Sequence, residues 1–284
     1  YHGHADAMLL RAGSGLADAP LPDSAGLGAE VVRETVVAPL DDEPALEAVF
    51  ASHGRELAAA IIEPLPANYG LLPQRTAFLA TLARLAKAHG ALLILDEVIS
   101  GFRVGFQGYA PLAGIEPDLV TYGKIIGGGF PVGAYGGRRE LMQLVAPVGP
   151  VYQAGTLSAN PVAMCAGLAA LRQLADGTLY AQLEARGARL ERALQALPGL
   201  IVQRVGSVFW LCLGTATGTV LRSPRHYPAG CAQRYQAMYH PLLARGVYLA
   251  PSAFEVGFLS AAHTDADIDL LVAAIAASMP KAET

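Results

Sequence analysis

Residues 91–98 read Ala-Leu-Leu-Ile-Leu-Asp-Glu-Val, and this stretch decides the fold. Its first five residues form a continuous apolar run, which is typical of a strand covered on both faces. A second strand candidate, at residues 118–122, leads into Gly-Lys-Ile-Ile-Gly-Gly-Gly at residues 123–129. Asp96 therefore follows one strand and Lys124 follows another, so that two ionisable side chains stand at strand ends.

The segments before and between these strands alternate between strand and helix. Residues 59–63 have the pattern of a buried strand, and residues 76–89 carry apolar side chains along one helical stripe. Strand, helix and strand at this spacing predict an α/β fold with a mostly parallel sheet and right-handed crossovers. Ligands of such sheets lie beyond the carboxyl ends of the strands, which is where Asp96 and Lys124 fall.

The pattern changes after about residue 173. Residues 1–172 are interpreted as a large α/β domain, and residues 173–284 as a smaller C-terminal α+β domain. The elements predicted in the smaller domain are helices at residues 179–197 and 229–245, strands at residues 201–202, 208–213 and 247–249, and a final helix capped by Thr264.

Composition narrows the class of protein. Of the 284 residues, 53% are apolar and 15% are charged, which allows a large core, and the net charge of −4 argues against a nucleic-acid partner. No apolar run approaches the roughly 18 residues of a membrane span. The 3 cysteines are widely spaced, so a reducing cytoplasm is expected. No metal is predicted, because His2 and His4 lack a nearby cluster of further ligands.

Asp96 and Lys124 together fit the chemistry of pyridoxal phosphate (PLP). A lysine amine can form a Schiff base with this cofactor, and an aspartate can keep its pyridine nitrogen protonated. Val98 points to the same side as Asp96 and can press on the cofactor ring. The alternatives are a solvated carboxylate that closes a strand, a surface lysine and a core valine.

Two loops could complete such a site. Residues 152–161 lead into a helix, and their backbone amides with the Thr156 hydroxyl suit a phosphate group, although an ordinary helix cap is the alternative. Residues 13–15 read Gly-Ser-Gly, which by composition is either a mobile lid or a plain loop.

Together these motifs closely resemble the class III aminotransferases, which are fold-type I PLP enzymes, and within them the glutamate-1-semialdehyde 2,1-aminomutases. The resemblance covers essentially the whole chain, and the Gly-Ser-Gly lid with the Tyr-Gln-Ala-Gly-Thr segment is more specific to the aminomutases. It rests on residues 1–6, 12–15, 96–98, 101–103, 123–129, 131–139 and 152–158.

The resemblance implies a role for each matching residue. Lys124 would be the Schiff-base lysine that moves the proton, and Asp96 would pair with the pyridine nitrogen. Ser14 would lie on the lid, while Tyr152 and Glu255 would face the substrate. The other implied cofactor contacts are Val98 and Tyr1 on opposite faces of the ring, His2 beside Tyr1, Asn68 near the ring hydroxyl, and Gly155 and Thr156 at the cofactor phosphate of a second subunit in a homodimer.

The reaction that the resemblance implies moves an amino group between adjacent carbons. It converts glutamate-1-semialdehyde, a small amino-aldehyde, into 5-aminolevulinate, the precursor of tetrapyrroles, through the PLP and pyridoxamine phosphate (PMP) forms of the cofactor. Two alternatives stay open. One is another class III enzyme, such as an ω-aminotransferase or a racemase, and the other is a non-catalytic remnant that serves as a dimerisation or binding module.

The chain departs from the resemblance in two places. Family members carry a long segment before the part that resembles residues 1–6, including a phosphate-binding Gly-Ser loop and an arginine thought to bind the substrate. We therefore expect a fragment, or a protein whose remaining part is supplied separately, with weak cofactor binding and poor solubility on its own. Tyr69 stands where family members often have a smaller residue, which is expected to alter the pocket.

Overall fold

The computed structural model describes residues 1–10, 24–214 and 220–280, so the predicted lid residue Ser14 lies outside the described residues. The chain divides into two compact units. One, called the Lys124 unit, comprises Asp41–Leu65 and Gln74–Leu179, and the other, called the Trp210 unit, comprises Tyr1–Leu40, Pro66–Pro73 and Tyr180–Thr284. The division predicted at residues 172 and 173 stays a prediction.

The described residues form the following helices and strands along the chain. The α-helices are α1 (Ala29–Arg33), α2 (Glu43–His53), α3 (Thr76–His89), α4 (Ala110–Ala113), α5 (Arg139–Met142), α6 (Pro161–Leu174), α7 (Thr178–Gln195), α8 (Cys231–Ala244) and α9 (Asp265–Ser278). The strands are β1 (Ala59–Ile62), β2 (Leu92–Asp96), β3 (Leu119–Tyr122), β4 (Ala134–Gly137), β5 (Leu200–Val205), β6 (Val208–Leu213) and β7 (Gly257–Phe258). Short 3₁₀ helices lie at Asp6–Met8, Lys124–Gly127 and Pro224–His226.

The sheet of the Lys124 unit has the strand order β1-β2-β3-β4. The first three strands are parallel, and β4 joins the edge antiparallel to β3. Leu93 and Leu95 of β2 are buried, as their continuous apolar run requires. The predicted α/β fold with a mostly parallel sheet is therefore confirmed.

Helix α3 forms where the apolar stripe predicts it and covers β1 and β2. The buried face of the helix consists of Phe78, Leu79, Leu82, Leu85 and Ala86. Burying each of the larger side chains stabilises the fold by about 1.5–3 kcal/mol. The helix ends at Gly90, whose left-handed backbone (φ 75°) suits a residue without Cβ.

The sheet of the Trp210 unit is antiparallel, with the order β5-β6-β7. Every residue of its central strand β6 is buried, and the Trp210 side chain is 1% exposed. Helices α8 and α9 pack on each other, and α8 also packs on β6, which confirms the predicted α+β character. Among the described residues, no helix combines the length and hydropathy that a membrane span requires.

One predicted strand is wrong. Residues 247–249 form no strand, and the third strand of this sheet is instead β7, which pairs with Val208 and Phe209 of β6. The Val247 amide instead donates to the Leu242 carbonyl at the end of α8 (3.1 Å). The predicted cap of the last helix is present: the Thr264 hydroxyl accepts from the Asp267 amide (3.3 Å).

Candidate active site

Asp96 is the last residue of β2 and is 6% exposed. It lies opposite Thr121 of β3 in the parallel register. Thr121 in turn precedes Lys124 by three residues. Its Oδ1 accepts a hydrogen bond from the Val98 amide (3.0 Å), which turns the chain as the strand ends. The carboxylate is thus held at the carboxyl end of the sheet with a fixed orientation.

Lys124 begins the 3₁₀ helix that follows β3, and its backbone is left-handed (φ 49°). For a residue with a side chain this conformation costs roughly 1–2 kcal/mol. Such strain persists only where the surroundings determine the backbone, and it is frequent at functional sites. The sequence pattern identified Lys124 but gave no indication of this backbone geometry.

Val98 lies against the backbone that precedes Lys124. A Cβ placed on Gly123 would approach Val98 Cγ1 to 3.2 Å, so the valine side chain would have to shift by a few tenths of an ångström. The structure therefore brings two predicted cofactor residues, Val98 and Lys124, to neighbouring turns at the carboxyl edge of the sheet. Asp96 stands at the same edge, one strand away.

Two glycines allow the lysine turn to lie directly on helix α6. A Cβ on Gly128 would overlap the Ala166 carbonyl, and a Cβ on Gly167 would overlap the Ile126 carbonyl. Gly128 also has a left-handed backbone (φ 57°). The position of Lys124 thus depends on a close backbone contact that the sequence predicted only as a glycine-rich run.

Glu97 is a structural residue that the sequence analysis missed. It is 1% exposed, and its carboxylate accepts hydrogen bonds from the Tyr109 amide (2.6 Å), the Ala110 amide (3.1 Å) and the Ser100 hydroxyl (3.2 Å). Burial raises the pKa of the Glu97 carboxyl, although these three hydrogen bonds act in the opposite direction. Glu97 fastens the loop after Asp96 to a segment twelve residues further along, a distance over which no sequence signal could reveal the partner.

The predicted phosphate loop forms a tight turn before α6. The Ser158 amide donates to the Gly155 carbonyl (3.0 Å), and Asn160 caps the helix by accepting from the Ala163 amide (3.0 Å). Gly155 and Thr156 are exposed, and the Tyr152 side chain is 85% exposed. These residues therefore lie on the surface of the Lys124 unit, and their predicted contact with a second subunit stays a prediction.

An apolar groove of about 930 Å³ runs between α6 and the turn that leads into β4. Its walls carry exposed apolar side chains, among them Leu157 (77% exposed) and Leu168 (50% exposed). Gly155 of the predicted phosphate loop also lines it. The groove thus adjoins the loop on the side of α6 that carries Met164 and Leu168.

Four predicted site residues belong to the Trp210 unit rather than the Lys124 unit: Tyr1, His2, Asn68 and Glu255. Tyr1 is 42% exposed, whereas His2, Asn68 and Glu255 are half-buried. Glu255 lines a small recess beside Tyr235. Burial raises the pKa of the Tyr235 hydroxyl to about 12, and the nearby Tyr239 and Glu255 add to the increase. The gathering of both sets of residues into one site stays a prediction.

A mostly parallel sheet with a buried aspartate and a lysine at neighbouring strand ends places the chain among the α/β folds, whose ligands lie beyond the carboxyl ends of the strands. The family model described as "Aminotransferase class-III" matches residues 1–254. The chain therefore belongs to the class III aminotransferase family, as the resemblance of its motifs implied.

One curated relative and two solved structures place the chain more closely. The protein named glutamate-1-semialdehyde 2,1-aminomutase in Bdellovibrio bacteriovorus is 54% identical over 270 residues, which cover 93% of this chain and 63% of the relative. An omega-transaminase from Sphaerobacter thermophilus matches with a TM-score of 0.86 and 33% identity, over 98% of this chain and 66% of that one.

A glutamate-1-semialdehyde aminomutase from Pseudomonas aeruginosa, solved in complex with PMP, matches with a TM-score of 0.79 and 26% identity. The match covers 98% of this chain and 63% of that structure. The chain thus spans about 63% of the length of the curated relative and of this solved structure.

Proposed function

We propose that the full-length protein uses PLP to convert glutamate-1-semialdehyde into 5-aminolevulinate. The observation that carries the proposal is the 54% identity, over 93% of the chain, with a relative named for this aminomutase. Substrate and product are isomers, because the amino group only moves to the adjacent carbon. No second substrate is consumed.

The residues described in the Lys124 unit fit this cofactor. PLP calls for a primary amine, an acidic partner for its pyridine nitrogen and an apolar contact for its ring, and Lys124, Asp96 and Val98 supply these groups at one edge of the sheet. When bound, PLP withdraws electrons from the carbon that carries the amino group and so eases the loss of its proton.

Asp96 holds the proton on the pyridine nitrogen in this proposal. Its burial lowers the local dielectric, which strengthens the attraction between the carboxylate and a protonated ring. The hydrogen bond from the Val98 amide fixes the carboxylate, so little reorganisation is needed when the cofactor binds. Val98 would contact the ring from one face.

Lys124 acts at its Nζ atom in two ways. It would hold the cofactor between turnovers, and it would move the proton at the reacting carbon as a general base and acid. The left-handed backbone at Lys124, set by the glycine contacts with α6, fixes the direction from which the amine approaches.

The other predicted residues keep their implied roles as parts of the proposal. Glu255 and Tyr152 would face the substrate, and Ser14 would belong to the lid. The cofactor contacts would be Tyr1, His2, Asn68, Gly155 and Thr156, the last two across the interface of a homodimer. A cytoplasmic location is also part of the proposal.

The proposal is tested by giving the full-length protein glutamate-1-semialdehyde without any added amine donor. We expect 5-aminolevulinate as the product and no release of a keto acid. Lys124→Ala is expected to lower kcat by about 10³-fold or more. Lys87→Ala, which changes an exposed lysine of α3, is the matched control and leaves kcat unchanged.

Two other outcomes would overturn the proposal. Turnover that requires a second amine donor and releases a keto acid would favour an ω-aminotransferase, the activity named for the Sphaerobacter structure. No turnover with either set of substrates would favour a non-catalytic binding module.

A further inference from the structure

Two loops of the Trp210 unit are joined by a direct backbone hydrogen bond. One is the segment Pro66–Pro73, which contains Asn68, and the other is the loop at residues 251–256, which contains Glu255. The Gly70 amide donates to the Phe254 carbonyl (2.6 Å). The two loops that carry the residues proposed to contact cofactor and substrate are therefore joined through their main chains.

Two aromatic side chains hold this junction from the side of the sheet. The indole N–H of Trp210 donates to the Ala253 carbonyl (2.8 Å), and the Tyr227 hydroxyl donates to the Tyr69 carbonyl. The Tyr227 ring stacks on Phe254 (centroids 5.7 Å apart, 18° between planes) and also contacts Trp210 (5.2 Å). Tyr227 thus touches both loops, one through its hydroxyl and the other through its ring.

Gly70 allows the first loop to lie on these rings. Its backbone is left-handed (φ 104°), and a Cβ there would come within 2.7 Å of the Tyr227 hydroxyl and 3.0 Å of the Trp210 ring. A side chain at this position would push the loop off the aromatic pair. The contact is therefore close enough to transmit a small displacement of Tyr227 to Asn68.

Gln203 of β5 fixes the far end of the same loop. Its side chain is 6% exposed, and its amide nitrogen donates to the Leu71 carbonyl and to the Leu221 carbonyl (3.1 Å). Because Gln203 is anchored in the sheet, the loop is held at Tyr69 and at Leu71 by two separate side chains. Tyr227 controls the end next to Asn68.

We propose that Tyr227 is a positioning residue that keeps Asn68 and Glu255 at a fixed distance from each other. The inference rests on the proposed function, which assigns Asn68 to the cofactor and Glu255 to the substrate. Asn68 directly precedes the residue whose carbonyl Tyr227 binds, and Glu255 directly follows the residue on which its ring stacks. A change at Tyr227 therefore moves the cofactor contact and the substrate contact together.

The test uses Tyr227→Phe in the full-length protein, which keeps the ring but removes the hydroxyl. We expect the Kd for the cofactor and the KM for the substrate to rise together by about tenfold, while kcat changes by less than about threefold. Amide hydrogen exchange is expected to speed up in residues 66–73 and 251–256 in parallel. Tyr248→Phe, at a side chain that is 74% exposed, is the matched control.

A second variant covers the case in which Tyr227→Phe does not fold. Phe254→Leu keeps an apolar side chain but removes the stacked ring, and the same joint increase in exchange is expected. Faster exchange in only one of the two loops, or values of Kd and KM equal to those of the control, would overturn the inference. Failure of the unchanged protein to bind PLP would instead overturn the proposed function, and the inference would fall with it.

Discussion

The two units hold their predicted site residues by different physical means. In the Lys124 unit the backbone does so: Asp96 stands at a strand end, and Lys124 takes a left-handed conformation that glycines permit. In the Trp210 unit side chains do so, because Trp210, Tyr227 and Gln203 bind carbonyls of the loops that carry Asn68 and Glu255. Backbone position and close backbone contacts fix the first set, and long-range side-chain hydrogen bonds fix the second.

Among the variants that test this comparison, Asp96→Asn is expected to have the largest effect, a fall in kcat. The amide keeps an oxygen that can accept from the Val98 amide, so the turn survives, but the negative charge that holds the proton on the cofactor ring is lost. We expect kcat to fall by roughly 10²–10³-fold, with little change in the free energy of unfolding.

Asp176→Asn is the matched control for that change. Asp176 is exposed and accepts from the Thr178 amide (2.9 Å) in the same local geometry as Asp96. Steady-state kinetics on both variants separate the charge from the turn. Equal values of kcat for the two variants would contradict the role proposed for Asp96.

Gly167→Ala tests whether backbone contact fixes the lysine turn. Alanine favours a helix over glycine by about 1 kcal/mol, yet its Cβ would overlap the Ile126 carbonyl. We expect the clash to dominate and the free energy of unfolding to fall by about 2–3 kcal/mol. Denaturant unfolding measures the change.

Gly133→Ala is the control, because a Cβ at Gly133 would meet no atom within 4 Å. Its effect on the free energy of unfolding is expected to stay within about 0.5 kcal/mol. A Gly167→Ala protein as stable as this control would mean that the turn can shift away from α6, and the backbone account of the Lys124 unit would then be wrong.

Glu97→Gln tests the buried carboxylate beside Asp96 through its pH dependence, and we expect a smaller effect than for Gly167→Ala. Burial raises the pKa of Glu97 in the folded state above its ordinary value of 4.5, so the folded protein binds the proton more tightly than the unfolded chain. The stability that this proton contributes is complete below pH 4.5 and is lost as the pH rises through the folded-state pKa.

The unfolding free energy of the unchanged protein should therefore fall, relative to that of Glu97→Gln, as the pH rises above 4.5. Unfolding measured at a series of pH values gives this difference. Glu116→Gln, at an exposed carboxyl, is the control and should follow the unchanged protein. If the unfolding free energy of the unchanged protein instead rises relative to that of Glu97→Gln as the pH rises, the hydrogen bonds to Glu97 outweigh its burial.

Thr264→Ala gives the smallest expected effect and shows what one local contact in the Trp210 unit contributes. The change removes the capping box at the start of α9 and is expected to lower the free energy of unfolding by about 1 kcal/mol. Thr76→Ala is the control, since Thr76 is exposed in the first turn of α3 and does not cap it. Equal thermal midpoints for the two variants would show that the cap contributes nothing.

Much of the Lys124 unit could be predicted from the sequence because its determinants are close together along the chain. The apolar run of β2, the stripe of α3 and the left-handed Gly90 are each read within a few residues. Asp96 and Lys124 were found because both stand at the ends of predicted strands. The left-handed backbone of Lys124 could not be predicted, since it depends on the distant helix α6.

The contacts that organise the Trp210 unit could not be predicted in this way. Tyr227 binds Tyr69 across 158 residues, and Gln203 binds Leu71 across 132. The wrong strand at residues 247–249 shows a related limit, because the apolar run did not reveal that the Val247 amide donates to the Leu242 carbonyl and that Gly257 and Phe258 pair with β6 instead. Periodicity identifies strands, but pairing depends on competition between distant segments.

The most direct test of the account is to find the atom that holds the cofactor. The full-length protein is treated with PLP and then with borohydride, which makes the covalent attachment permanent, and the modified peptide is mapped by mass spectrometry. The account predicts one adduct, on Lys124, and none on Lys87. Attachment at another lysine, or no attachment at all, would contradict the assignment of Lys124 and with it the proposed use of PLP.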